Sequence, residues 1–217
     1  MAKPVKRSYD NSGRQAAARE TRRAVVRAAG ALFLERGYAA TTLAQIAQLA
    51  GVSVQTVYAQ FGSKAALVKQ LVDEAIAGDD EPVAVKDRPE IAEQLAENDP
   101  HKRIRMHARF VATRQERLAP VDAMVQSAAE ADPDMRAQVE AERRGLLGGM
   151  TEMAEVYAAR DELAVPVEVA AQRVAALMDP GLYRRTVLDH GWTTEEYAAW
   201  LGDLLAASIL KPPRRRR

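Results

Sequence analysis

Residues 41–67 read TTLAQIAQLAGVSVQTVYAQFGSKAAL, and the fold follows from this stretch. Thr41 and Thr42 supply hydroxyls of the kind that cap a helix N-terminus. Leu43, Ile46, Ala47 and Ala50 then recur at three- and four-residue spacing, the period of one helix face. Gly51 stops that helix, because glycine adopts the positive φ that a tight turn requires. Ser53 stands where it caps a second helix, Val54–Phe61, and Ser63 caps a third whose apolar side carries Val68, Leu71, Val72 and Ile76. Two short helices meeting across Ala50-Gly51-Val52-Ser53 make a helix-turn-helix over about residues 42–61.

Inside that unit Val52 and Val57 are expected to face Leu43, Ile46 and Ala47. Val54, Gln55, Thr56 and Ala59 remain on the outer face of the second helix. Small side chains there let a helix enter the major groove, and an amide can read a base edge. Tyr58 and Lys64, with the hydroxyls and N–H groups at Thr41, Thr42 and Ser53, suit contacts to phosphate.

Upstream, residues 16–36 form a helix in which Val25, Ala28 and Leu32, and Val26, Ala29 and Phe33, share faces, with Gly37 at its end. Residues 1–15 are polar, basic and aperiodic and read as a flexible arm. The DNA-binding domain thus spans 16–77. Residues 78–99 are acidic and proline-bearing and read as a connection with one short helix near 90–97. Helices are expected over 101–118, 120–131, 134–161, 167–178, 181–189 and 194–210, several with proline at or beside the start. Residues 100–210 are the larger domain and 211–217 a basic tail. No segment alternates as a strand does, so the fold class is all-α.

Charge divides along the same line. Residues 1–77 carry a net +6, residues 78–210 a net −10 and the tail +5, although the chain as a whole is only +1. A basic N-terminal block on an acidic body points to a polyanion at one end. With no cysteine, thiolate metal sites and cysteine nucleophiles are excluded. The three histidines, His101, His107 and His190, lack metal-site spacing, so neither a metal nor a cofactor is expected. No apolar run approaches a membrane span and no secretory start is evident, which points to the cytoplasm.

The N-terminal third resembles the TetR family of transcription regulators. The matching residues are Arg22, Ala28-Ala29, Phe33, Gly37-Tyr38, Thr41-Thr42, Ile46-Ala47, Ala50-Gly51-Val52-Ser53, Thr56, Tyr58, Phe61, Lys64 and Leu67, in one gap-free register. The resemblance implies that Val54–Phe61 reads bases and that the positions of Thr42, Tyr58 and Lys64 contact the DNA backbone. Gln55 stands where the family often has Gly, and Gln60 where it often has His. Gln55 is therefore the expected private base reader. The C-terminal part resembles one effector-domain subgroup through Ser127-Ala128-Ala129, Asp132-Pro133, Glu142-Arg143-Arg144, Pro180-Gly181-Leu182-Tyr183, Gly191-Trp192-Thr193, Tyr197, Trp200 and Leu201. It departs from the subgroup at 175–178, where a tryptophan is missing.

The implied protein is a homodimeric repressor of double-stranded DNA with two-fold related half-sites, released by a small effector. Met106, Phe110, Met124, Met150, Met153 and Tyr157 are the candidate pocket residues, offering an adaptable lining with few fixed charges and hence a largely apolar effector. The same residues at helical spacing also suit plain core. Gly148-Gly149 weakens a long helix, through either a closely packed neighbour or a bend beside a cavity. Val167, Ala170, Ala171, Val174 and Met178, with Tyr197, Trp200, Leu201, Leu204, Leu205 and Ser208, form two apolar stripes expected to build a two-fold four-helix dimer seam. The other reading of those stripes is cover for their own domain's core. An all-helical enzyme and a ligand-independent DNA-binding scaffold are the competing functions. The enzyme would need a nucleophile, metal cluster or carboxylate pair that the sequence does not display.

Overall fold

The computed structural model describes residues 12–81 and 83–213, which fall into two compact units, 1–68 and 69–217. Among the described residues ordered structure is helical, apart from one isolated bridge between Leu163 and Leu210. The first unit holds α1 (Ser12–Ala40), α2 (Leu43–Ala50), α3 (Val54–Phe61) and the first turn of α4 (Lys64–Ala77). The second holds the rest of α4, a 3₁₀ turn (Val85–Asp87), α5 (Pro89–Ala96), α6 (Pro100–Ala131), α7 (Pro133–Ala159) and α8 (Val167–Leu177). It is completed by α9 (Pro180–Tyr183), a π-helical turn (Arg184–Asp189) and α10 (Thr194–Ile209).

α1 starts at Ser12, four residues inside the segment expected as an arm. The rest of that arm, and residues 214–217 of the basic tail, lie outside the described residues. Lys211, the tail's first residue, is pinned: its N–H donates to the Glu162 carbonyl and its Nζ to Asp161 at 2.6 Å. The expected break near Pro120 is absent, and α6 runs through it. Proline removes the bond to the carbonyl four residues back. Both Pro120 and Glu116 lie on the exposed side, where water solvates that carbonyl, while Ala119 and Val121 anchor the helix in the interior. The helix expected over 181–189 instead changes type after Tyr183.

The larger core is built on α6 and α10. Their closest approach is at Gly202, where an added Cβ would stand 3.0 Å from the Arg105 side chain and 3.4 Å from Ala108. Around this contact Ile104, Ala108, Val111 and Ala112 meet Tyr197, Leu201, Leu205 and Ile209, all fully or nearly fully buried. Tyr183 and Tyr197 pack edge to face with ring centroids 5.0 Å apart. Gln115 Nε2 donates to the Met178 carbonyl at 2.6 Å, tying α6 to the end of α8. One buried ion pair crosses the unit: Arg103 Nη2 donates to both Glu162 oxygens at 2.8 Å, and the guanidinium lies 4.4 Å from the Tyr157 ring centroid.

The two apolar stripes expected as a dimer seam are mostly interior. Ala170, Ala171, Val174, Met178, Tyr197, Leu201 and Leu205 fill their own unit's core and have no surface to offer a second copy. The reason is that α10 packs along the length of α6 and α8 along α7, which consumes these faces. Val167, Trp200, Leu204 and Ser208 stay partly exposed. Gly148 and Gly149 are also reassigned: both are exposed on an unbroken α7 with nothing within 4 Å of an added Cβ. Neither a close neighbour nor a helix break explains them.

His107 is buried on α6 with its Nδ1 3.3 Å from Gln94 Oε1. Burial pushes its pKa down to about 4, and the charge of Arg114 acts the same way. In the unfolded chain the ring titrates near 6.5. Between those values the unfolded state binds the extra proton, so stability present above pH 6.5 is lost as pH falls toward 4, by on the order of 3 kcal/mol. Thermal scans should show wild-type melting temperature falling over this window. His107→Gln, which keeps a polar partner for Gln94, should show a clearly shallower fall, and superimposable profiles would contradict a neutral buried imidazole.

Candidate DNA-recognition surface and effector cavity

The turn between α2 and α3 is fixed by capping at both sides. Thr42 Oγ1 accepts from the Gln45 N–H at 3.2 Å, and Gln45 Oε1 accepts from the Thr42 N–H at 2.8 Å. This reciprocal pair satisfies two donors that a helix start leaves open. Gly51 ends α2 at φ 70°, ψ 31°, and the Val52 N–H donates to the Ala47 carbonyl at 3.0 Å. Ser53 Oγ then accepts from the Thr56 N–H at 3.0 Å and opens α3. Ile46, Ala47 and Val57 close the interior between the two helices.

Three side chains brace this unit from outside the turn. Lys64 Nζ donates to the carbonyls of Tyr38 (2.8 Å) and Thr41 (3.1 Å) and lies 4.0 Å from the Tyr38 ring centroid. Arg22 lies 4.4 Å from the Phe61 ring centroid and donates to the Gln60 carbonyl at 3.4 Å, linking α1 to the end of α3. Thr41 is buried, and its hydroxyl donates to the Leu32 and Gly37 carbonyls. Thr41 thus serves the corner after α1 and has no free surface for phosphate, which corrects its expected role. The ammonium of Lys64 likewise points at backbone carbonyls of its own unit.

What remains outward is one continuous surface. Thr42, Ser53, Val54, Gln55 and Ala59 are exposed, Thr56 is half-buried, and Tyr58 is 55% exposed. Leu49 on α2 is exposed as well, a position the sequence reading passed over. The surface presents the start of α3, its unbonded N–H groups and one amide, a geometry suited to a DNA groove.

In the second unit the candidate pocket residues do not converge. Met106 and Phe110 line a groove of about 500 Å³ with Gln94, Arg109 and Arg117. Met150 and Met153 pack against the core, and Met124 and Tyr157 are buried. A larger cavity of about 910 Å³ opens among α4, α6, α7, α8 and α9. Leu118, Val125, Val139 and Leu146 give it apolar walls, and Val72 and Ile76 of α4 face it. Its wall also carries Arg114, Asp122, Glu142, Arg143, Asp179, Arg184 and Arg185, so the expectation of few fixed charges is overturned. Periodicity alone could not locate this cavity. Arg114 and Asp122 read as ordinary surface residues of a helix rich in arginine.

Residues 25–71 match the family described as "Bacterial regulatory proteins, tetR family". The first unit is a TetR-family helix-turn-helix domain. The regulator TtgR of Pseudomonas putida is 50% identical over 56 residues, 26% of this chain and 27% of that protein. The matched stretch is thus little more than a quarter of the curated relative's length. Over the whole chain the likeness is one of fold. NalD of Pseudomonas aeruginosa, described as the secondary repressor of the MexAB-OprM multidrug efflux pump, superposes with a TM-score of 0.68 at 22% identity, covering 90% of this chain and 98% of that one. SmeT in complex with triclosan superposes with a TM-score of 0.66 at 19% identity, covering 88% and 92%. These matches show that the chain shares the all-helical fold of those two proteins. No helix of the described residues is long and apolar enough to cross a membrane.

Lys64→Met keeps the stem and removes the charged donor from the Tyr38 and Thr41 carbonyls. Chemical denaturation without DNA should show a loss of about 1.5–3 kcal/mol, the range for hydrogen bonds to a charged group. Unchanged stability combined with a DNA defect would return Lys64 to a role in phosphate contact.

Proposed function

We propose that this chain is a ligand-responsive, sequence-specific DNA-binding transcription regulator, acting as a repressor that a small effector releases. The observation that carries the reading is the capped Gly51 turn, which holds the start of α3 outward on a TetR-family domain. Gln55 sits in the first turn of α3, exposed. Its amide suits adenine, whose N6 and N7 accept a paired donor–acceptor contact. Thr42, Ser53, Thr56 and Tyr58 flank it and suit the backbone on either side. The second unit supplies the sensor. NalD is a repressor and SmeT holds triclosan, which supports a repressor with a small-molecule cavity in this architecture.

The coupling runs through α4. Its Lys64 end is clamped beneath the helix-turn-helix, while Val72 and Ile76 face the 910 Å³ cavity. An effector that moves these two side chains biases the helix that carries the reading head. A differential affinity of about 1.4 kcal/mol between the DNA-competent and the DNA-incompetent state gives a tenfold loss of operator binding.

Selection of bound duplexes from a random pool tests the reading directly. It should return a two-fold related sequence with half-sites about one helical turn apart. Gln55→Ala should cost about 1–3 kcal/mol and relax preference at one position of each half-site. A pool with no enriched sequence would remove the sequence-specific reading.

The two-fold operator calls for a homodimer. The outward strip of α10, with Trp200, Leu204 and Ser208 partly exposed and Ala199 and Ala207 exposed, is the surface we assign to it, next to Val167 of α8. Arg173 Nη1 donates to the Ser208 carbonyl at 2.6 Å and holds α8 beside that strip. Leu204→Arg places a charge on the surface and leaves the interior intact, so the variant should keep its helicity and melt near wild type. Sedimentation should find it monomeric at concentrations where wild type is dimeric. A dimeric variant would move the seam elsewhere.

A further inference from the structure

Resting on the cavity reading above, we propose that the effector is an amphipathic anion whose carboxylate-like head pairs with Arg114. Arg114 lies on the α6 face that lines the 910 Å³ cavity, with Leu118 and Asp122 one and two turns further on. It is partly buried, its Nε is fully enclosed without a partner, and its guanidinium makes no hydrogen bond or ion pair among the described residues. A buried cation left unpaired is strongly unfavourable, so such a residue persists where something else supplies the counter-charge.

The carboxylates in the same wall are already engaged. Asp122 accepts from Gln126 Nε2 at 3.0 Å, Asp179 accepts from the Gly181 N–H at 2.6 Å, and Glu142 pairs with Lys69 at 3.8 Å. Arg143 donates to Gln126 Oε1, while Arg184 and Arg185 are exposed to water. Arg114 is thus the most enclosed cation of this wall, and no carboxylate of the wall pairs with it among the described residues. Behind the cavity wall, the Tyr197 hydroxyl on α10 is buried in the core, also lacks a partner and interacts electrostatically with Arg114. Burial lowers the pKa of Arg114 to about 10, with the Arg117 charge adding to it, and raises that of Tyr197 to about 12. Arg114 therefore remains a cation near neutrality, and Tyr197 brings no negative charge to it. Guanidinium geometry matches a carboxylate's two oxygens, and the aliphatic walls of Leu118, Val125, Val139 and Leu146 suit an apolar body behind that head.

Calorimetric titration of the full-length protein with octanoate, 1-octanol and octylammonium separates head-group charge from chain burial. Octanoate should bind at least tenfold more tightly than octanol, with octylammonium weakest. Arg114→Gln should abolish the preference for octanoate over octanol, and Arg114→Lys should retain part of it. Octanol binding as tightly as octanoate overturns the anion assignment while leaving the cavity reading intact, and so does an octanoate preference that survives in a folded Arg114→Gln protein. If none of the three binds, the cavity reading falls with it. The wild-type series decides the question even if the Arg114 variants fail to fold.

Discussion

The candidate DNA-recognition surface is held from behind by one ammonium group more than by any other charge. Lys64 reaches back from the first turn of α4 to the carbonyls of Tyr38 and Thr41, which mark the corner where α1 hands over to α2. Gly37 breaks the helical path just before this corner at φ 80°, and the Tyr38 carbonyl also accepts from the Thr41 N–H at 3.3 Å. A cation on the Tyr38 ring closes the same corner from its aromatic side. With the corner fixed, the capping box at Thr42 and the left-handed Gly51 leave α3 a single exit direction. Gln55, Val54 and Tyr58 are then displayed by a rigid support, which is how a helix can read bases without first paying to order itself.

The second unit solves a different problem. Its helices are joined by small residues: Gly202 and Ala108 let α10 and α6 touch, and Ala170 and Ala171 fill the core from the α8 side. Such close packing buries Val174 of α8 and Tyr197, Leu201, Leu205 and Ile209 of α10. The cavity is what the packing leaves open on the other side of α6, where side chains one turn apart alternate between Arg114, Leu118 and Asp122. One helix therefore separates a dry core from a charged cavity wall. The buried Arg103–Glu162 pair shows the cost of the alternative, since there a cation in the core carries its own carboxylate and an aromatic face.

The helix-turn-helix was legible because its signals are local. Caps at Thr42, Ser53 and Ser63, the Gly51 turn and the periodicity of Ile46, Ala47 and Val57 need no long-range contact, and the structure realises each. Thr41 misled because adjacent threonines look alike in sequence, while only the structure shows which hydroxyl turns inward. The stripes on α8 and α10 were visible, but an apolar stripe does not say whether it meets its own domain or a second copy. Pro120 was overvalued as a breaker because its exposure, which makes the lost bond tolerable, is a tertiary fact. The cavity was the least legible feature, since it is defined by which faces of five helices fail to meet.

Recognition by this route requires that α3 enter the major groove. Methylation interference on a selected duplex measures this directly, because guanine N7 lies in the major groove and adenine N3 in the minor groove. The account predicts interference at N7 positions in two clusters about one helical turn apart, with adenine N3 methylation between them having little effect. Interference confined to adenine N3, or absent from both grooves, would contradict it.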